Sequence, residues 1–239
     1  SSRCSVDDIE PVEMNVEPRV LTLDIETDDR GSGFPAPGEA RILSIACHDS
    51  YTDDYVTFLD TKGRRDAEFF GVTDPKSMDD LGVTEPDELN TLSSEREMLL
   101  KFSQWVEQID PDIITGWNCG DRQTDGFDLP HIVERMRNVR VSTSRLSREG
   151  YVKNFEKGDA GWRTSISGRT TLDLMDTWVS TKFTTPDSKR LNDVAESKLD
   201  DAKIPHPEMG FYELYEQDPA TFVDYNTKDT RLAVEINRE

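Results

Sequence analysis

Apolar positions along this 239-residue chain fall into two rhythms, and the switches between them predict its elements. Residues 20–26, Val-Leu-Thr-Leu-Asp-Ile-Glu, alternate with a period of two and read as a first strand. Arg41 to His48 and Tyr55 to Leu59 read as further strands, in a meander with the first, after a Gly/Pro-rich loop from Asp28 to Gly38 that carries the turn residues Gly31, Ser32 and Gly33. The period then lengthens. Ser94-Glu95-Arg96-Glu97 fits a capping box, and Met98, Phe102, Trp105, Val106 and Ile109 follow at helical spacing until Pro111. Asp112 to Gly116 reads as a short buried strand. Helix followed directly by strand points to an α/β layered sheet. Asp128 to Asn138 has a helical pattern. Residues 150–157 and 162–168 predict a β-hairpin turning at 157–161. Thr170 to Leu174 reads as a strand leading into a helix through Trp178, and Arg190 to Leu199 as another helix. A last helix begins at Asp218-Pro219, an acidic cap followed by proline at the first position. Residues 1–19 read as an arm or the remnant of a preceding domain. Residues 61–92, polar and irregular, read as a surface insertion, and 20–239 as one domain.

Composition narrows the class. The chain is 34% hydrophobic and 32% charged, polar for a folded domain, yet its periodic segments exclude wholesale disorder. No apolar run reaches the ~18 residues of a membrane span, and no signal peptide is visible. Three cysteines, Cys4, Cys47 and Cys119, with no C-x-x-C, argue against a disulfide framework or structural zinc and for a reducing interior. His48, His131 and His206 are scattered, and each is expected to be a packing or surface residue. A first residue other than Met suggests a fragment or processed chain.

The net charge of -21, from 49 acidic and 28 basic residues, ordinarily argues against a nucleic-acid partner. Asp exceeds Glu, Arg exceeds Lys, and the acids are spread along the chain, which fits a protein from a salt-accumulating cell. At ~1 M salt the Debye length falls to about 3 Å, so a distant acidic surface hardly repels DNA.

Candidate chemistry starts at Asp24 and Glu26. Side chains two apart on a strand share a face, so two carboxylates project together from an apolar run. Like charges side by side disfavour full ionisation, and a cation between them removes that cost. Oxygen ligands with no His or Cys nearby favour Mg²⁺ or Mn²⁺ over zinc. The bland alternative is a solvated pair at a strand end. Asp128, in Gly126-Phe127-Asp128-Leu129-Pro130, falls at the start of a helix, where, taken alone, an N-cap role is the better explanation. Tyr225 and Asp229, four apart on the last helix, share a face that Phe222, Leu232 and Ile236 suggest is partly inward. A carboxylate there needs a partner, and a metal is one.

Taken in order, Asp24-Ile25-Glu26-Thr27, then Pro111 to Asn118 with Phe127-Asp128, then Tyr225-x-x-x-Asp229, resemble the 3′–5′ exonuclease domain of family B DNA polymerases. Glu95 to Phe102, Gly168-Arg169 with Asp173-Leu174, and Leu191 to Ala195 extend the resemblance, which covers about residues 20–238. It implies a ribonuclease-H-like α/β fold of the DEDDy exonuclease kind, a central mixed sheet of five or six strands flanked by helices. It implies that Asp24, Glu26, Asp128 and Asp229 hold two Mg²⁺ (or Mn²⁺) ions and that Tyr225 orients the attacking water. A phenol titrates near ~10, so positioning suits it better than general-base work. Thr27, Asn118 and Phe127 match positions near the frayed 3′ end of single-stranded DNA, and Asp173 is expected to be a helix cap rather than a fifth ligand. The partners implied are that DNA end, the palm, fingers and thumb of a polymerase, and a sliding clamp, in the cytoplasm at the nucleoid of an archaeal, halophilic cell.

Two departures from the family pattern stand out within the chain. Residues 119–126 separate Asn118 from Phe127-Asp128 and put the register of Asn118 in question, and residues 61–92 exceed the usual connection. The chain also ends before any polymerase motif, so this polypeptide alone is not expected to polymerise DNA. An RNA-trimming exonuclease with the same carboxylates, and a silent exonuclease fold kept as a scaffold, are the alternatives.

Overall fold

Strand β1 (Val20–Thr27) buries Leu21, Leu23 and Ile25 on one face and leaves Asp24 and Glu26 half-buried on the other. The computed structural model describes residues 16–28, 30, 35–121, 123, 125–156, 161–182, 188–199 and 209–239. Most of the 1–19 arm, the Gly31-Ser32-Gly33 turn, residues 157–160 of the hairpin turn, Cys4 and His206 lie outside them.

β1 pairs antiparallel with β2 (Ile42–Asp49), which pairs antiparallel with β3 (Asp54–Asp60). On its other edge β1 runs parallel to β5 (Ile113–Gly116), which runs parallel to β8 (Thr170–Asp173). β4 (Glu88–Leu92) joins β3 in parallel, giving a mixed six-stranded sheet in the order β4-β3-β2-β1-β5-β8. With helices on both faces, this is the ribonuclease-H-like α/β arrangement. β6 (Val152–Glu156) and β7 (Trp162–Ile166) pair separately as an antiparallel hairpin.

Each face of the sheet has its own layer. Helix α3 (Glu95–Ile109) places Met98, Leu99, Phe102 and Val106, and helix α4 (Asp128–Asn138) places Leu129, Ile132, Val133 and Met136, in one core with Leu21, Leu23, Ile25, Ile45 and Phe58. Glu95 ties the layer together. It accepts from Ile42 N at 2.9 Å and pairs with the Arg135 guanidinium. The opposite face is crossed by α8 (Pro219–Arg238), which packs on β1, β2 and β3. Asp218 caps it, accepting from Thr221 N at 3.2 Å, with Pro219 at the first position. Phe222 and Val223 meet Leu43 and Leu59 with Leu214 and Tyr215 of α7 (Phe211–Gln217). Leu232, Ala233 and Ile236 meet Trp117, Leu174 of α5 (Leu174–Ser180) and Leu191, Val194 and Ala195 of α6 (Leu191–Leu199).

Two expectations need correction. Residues 61–92 are not a surface excursion. They hold helices α1 (Asp66–Phe69) and α2 (Met78–Leu81) and the edge strand β4, and Phe69, Leu81 and Val83 are buried in the α7–α8 core. Low apolar density hid a segment in which Phe69, Leu81 and Val83 are buried and Phe70, Val72, Met78 and Leu89 pack half-buried beside them. The capping box of α3 is half formed: Ser94 Oγ accepts from Glu97 N at 3.3 Å, while the Glu97 carboxylate accepts from Ser93 Oγ.

Cys47 and Cys119 are buried free thiols. Among the described residues no helix is long and apolar enough to cross a membrane.

His131 is fully buried on α4. Its Nε2 donates to Ala40 O at 2.8 Å and its Nδ1 accepts from Gly38 N at 3.4 Å, an arrangement only the neutral ring satisfies. Burial pushes its pKa down to about 4. An unfolded histidine titrates near ~6.5, so the unfolded chain binds the extra proton between those values. Stability is therefore fully present above that range and declines as pH falls toward 4, by up to about 1.4 kcal/mol per pH unit from this residue. Urea unfolding of the parent and His131→Gln between pH 7 and pH 4.5 checks this. The variant is expected to lose up to one proton's worth of slope, and identical slopes would contradict the assignment.

Candidate active site

Three carboxylates from two elements meet over the α8 face of the sheet. Oxygens of Asp24, Glu26 and Asp229 all lie within 4.8 Å of one another. The alternation of β1 brings the first two together, and a buried position on α8 brings the third, more than 200 residues later in the chain. Asp229 is 5% exposed, so its charge sits where only a cation or well-placed donors can compensate it.

Asp128 adjoins this trio as the first residue of α4, with Phe127 rather than Asp128 in the N-cap position. Burial pushes its carboxyl well above the usual carboxylate range, and the charges of Asp24, Asp173 and Glu26 push the same way. Among the described residues its buried Oδ2 has no hydrogen-bond partner. A buried acid raised by neighbouring acids, with an oxygen left over, is a donor set suited to a hard divalent cation.

The 119–126 segment, which separates Asn118 from Phe127 in the sequence, closes at its neck. Phe127 N donates to Asn118 O and Leu129 N to Cys119 O, both at 2.9 Å. Asn118 therefore sits beside Phe127 as though the intervening residues were absent. Asn118 itself adopts φ 61°, a left-handed conformation that Asn tolerates better than most residues.

Asp173 does more than cap α5. It accepts from Met175 N at 3.0 Å, but also from Asn118 N at 3.2 Å and Gly120 N at 2.8 Å. Burial pushes its carboxyl up to about 6, against the pull of the Gly120, Asp176 and Met175 N–H groups. Its own N–H donates to Asp121 Oδ2 at 3.3 Å. This pair of acids clamps the approach to Asp128.

The remaining expected residues fall around the cluster. Thr27 ends β1 next to a bulge in its pairing with β2. Phe127 is half-buried, packs on the sheet core and lies 4.6 Å from the His131 ring. Tyr225 is buried one turn before Asp229, its ring 5.2 Å from that of Phe211. Asp224, beside it, accepts from Thr84 N and Glu85 N at 2.9 Å and so anchors the loop before β4 to α8.

Sequence reasoning missed Asn226. Its Nδ2 donates to Asp24 Oδ2 at 2.7 Å, and its Oδ1 accepts from Ser44 Oγ at 2.7 Å. The available signal was its position three residues before Asp229, on the same helical face.

A ribonuclease-H-like sheet carrying clustered acids defines a class of metal-dependent nucleases, and the comparisons place the chain within it. The family model for "DNA polymerase family B, exonuclease domain" matches residues 1–194. The chain belongs to that family, whose domain is the proofreading module of these polymerases. It is 26% identical to the DNA-directed DNA polymerase of Escherichia phage RB69 and 28% identical to that of Enterobacteria phage T4, each across 92% of this chain. A DNA polymerase of Thermococcus litoralis is 29% identical across 69% of the chain. The chain spans about a quarter of the length of the two phage relatives. The family match ends before Tyr225 and Asp229, so the meeting of Asp229 with Asp24 is an independent observation of the geometry.

The neck of the 119–126 segment makes a sharp prediction. A Cβ at Gly126 would lie 2.0 Å from Gly120 N and 2.7 Å from Asn118 O, backbone atoms that cannot step aside. Gly126→Ala is expected to cost about 2 kcal/mol or more in urea unfolding and to weaken Mn²⁺ binding by shifting Asp128. Parent-like values of both in that variant would show that the neck does not position α4.

Proposed function

We propose that the chain is a two-metal 3′–5′ exodeoxyribonuclease acting on single-stranded or frayed DNA ends and releasing nucleoside 5′-monophosphates. The observation that carries this reading is the convergence of Asp24, Glu26 and Asp229 within 4.8 Å, beside the buried Asp128 carboxyl that feels the charges of Asp24 and Glu26. Asp24, Glu26, Asp128 and Asp229 would hold the two Mg²⁺ or Mn²⁺ ions. Bound there, such ions supply an acidified water near neutral pH and charge neutralisation at the departing 3′ oxygen.

The chain's own residues do the rest. Asp128 serves as a ligand in its carboxylate form, so cation binding there opposes the upward push that burial gives its pKa. Tyr225, one turn from Asp229, orients the attacking water through its hydroxyl. Thr27, Asn118 and Phe127 hold the terminal nucleotide, Phe127 by offering a ring face to an unstacked base.

In its parent the domain would serve a family B DNA polymerase, beside the palm, fingers and thumb and with access to a sliding clamp, in a nucleoid-associated, cytoplasmic setting. The dispersed acidic charge points to an archaeal, halophilic source, and it sets the assay conditions, since molar KCl removes the long-range repulsion of DNA by a -21 protein.

The test is digestion of a 5′-labelled single-stranded DNA by the chain in molar KCl with Mn²⁺ or Mg²⁺, alongside the matched RNA. DNA is expected to shorten from its 3′ end, faster than RNA. Asp24→Ala should lower the rate at least a thousandfold, about 4 kcal/mol of transition-state stabilisation. A variant that cleaves like the parent would remove the assignment, and preferential RNA cleavage would favour an RNA-trimming enzyme.

A further inference from the structure

Asn226 is built into the acidic cluster in a way that the four-carboxylate picture does not include. It is fully buried on α8, as is Ser44 on β2. The Ser44 hydroxyl donates to Asn226 Oδ1, and the Asn226 amide donates to Asp24 Oδ2, each at 2.7 Å. A reversed amide would set Oδ1 against the Asp24 carboxylate and Nδ2 against the hydroxyl. The chain of donors therefore runs one way, from β2 through α8 to β1.

Two consequences follow from elementary chemistry. The terminal torsion of an aspartate is broad and nearly two-fold, so hydrogen bonds decide the plane its carboxylate adopts. Without such a bond, repulsion from Glu26 and Asp229 would turn Asp24 away. The amide orients Asp24 and carries no charge, so it leaves the full negative charge to attract a cation, where a lysine in the same place would cancel it. Asn226 also lies on the same helical face as Asp229. The bond that orients Asp24 thus also sets the height of α8 against β1, and with it the gap across which the two carboxylates face each other.

We propose that Asn226 is a positioning residue for the cation site, held in orientation by Ser44, and that it raises divalent-cation affinity by presenting Asp24 to the ion. This deepens the exonuclease reading and rests on it. Residues that hold metal ligands in orientation are commonly worth ten- to a hundredfold in metal affinity.

A neighbouring bond supplies the control. Thr57 Oγ1 on β3 and Thr227 Oγ1 on α8 lie 2.8 Å apart, fully buried, and tie the same helix to the same sheet without touching a carboxylate. The experiment measures Mn²⁺ binding by titration calorimetry on the 239-residue chain without DNA, for the parent, Asn226→Leu, Ser44→Ala and Thr57→Val, with melting temperature recorded for each. Asn226→Leu is expected to raise the Mn²⁺ Kd about tenfold or more. Ser44→Ala, which frees the amide to turn, should raise it several-fold and carries the test if Asn226→Leu does not fold. Thr57→Val should lower the melting temperature and leave the Kd unchanged. In the cleavage assay, Asn226→Leu should need more Mn²⁺ for half-maximal rate and recover most of the parent rate at saturation. An Asn226→Leu Kd within twofold of the parent's, or an equal loss in Thr57→Val, overturns the proposal while leaving the exonuclease intact. A parent that neither binds Mn²⁺ nor cleaves DNA overturns the exonuclease reading itself.

Discussion

Like charges do not gather unless something rigid holds them. Asp24, Glu26 and Asp229 repel one another, and burial first, with the charges of Asp24, Asp173 and Glu26 after it, pushes the Asp128 carboxyl above the usual carboxylate range. What holds them is the seating of α8 on the sheet. Phe222 and Val223 at one end and Leu232, Ala233 and Ile236 at the other bury this helix against two separate apolar clusters. Between those clusters the contact turns polar: Asn226 meets Asp24 and Ser44, and Thr227 meets Thr57. Hydrophobic burial at both ends supplies the free energy, and the polar centre fixes the register. A cation is the natural complement of such a centre, since it turns the largest unfavourable term into a favourable one.

The opposite layer solves a second problem, which is to deliver Asp128 from a different part of the chain. α4 is buried against α3 and the sheet, so its axis is set by packing. Its first residue still depends on how the chain enters it. The closed neck at Gly120 and Gly126, with Asp173 gripping Asn118 and Gly120, fixes that entry point. A loop can lengthen at little thermodynamic cost if its ends stay together, and here backbone hydrogen bonds keep them together.

Much of this was legible in the residues alone. Period-two alternation put Asp24 and Glu26 on one face, and helical spacing put Tyr225 one turn from Asp229. The strand and helix order led to an α/β layered sheet, and its mixed character came from the family resemblance. Local patterns carry that information because each concerns residues within one element. Asn226 was missed because its meaning lies in partners 182 and 202 residues away, and its place on the helical face of Asp229 does not reveal them. Asp173 was legible as a cap, which is a local role, but not as the clamp on the loop before α4, which is a tertiary one. Residues 61–92 misled for a related reason. Phe69, Leu81 and Val83 are too widely spaced to show a period, and only the α7–α8 surface explains their burial.

The central claim is that these acids form a single cation pocket in register with α8. A crystal of the chain soaked in Mn²⁺ with a short single-stranded oligonucleotide, measured for anomalous scattering at the manganese edge, tests it most directly. Peaks bounded by carboxylate oxygens of Asp24, Glu26, Asp128 and Asp229, at first-coordination distances, are the predicted result. Manganese bound only at scattered surface acids, with Asp24 and Asp229 facing each other across no ion, would contradict it.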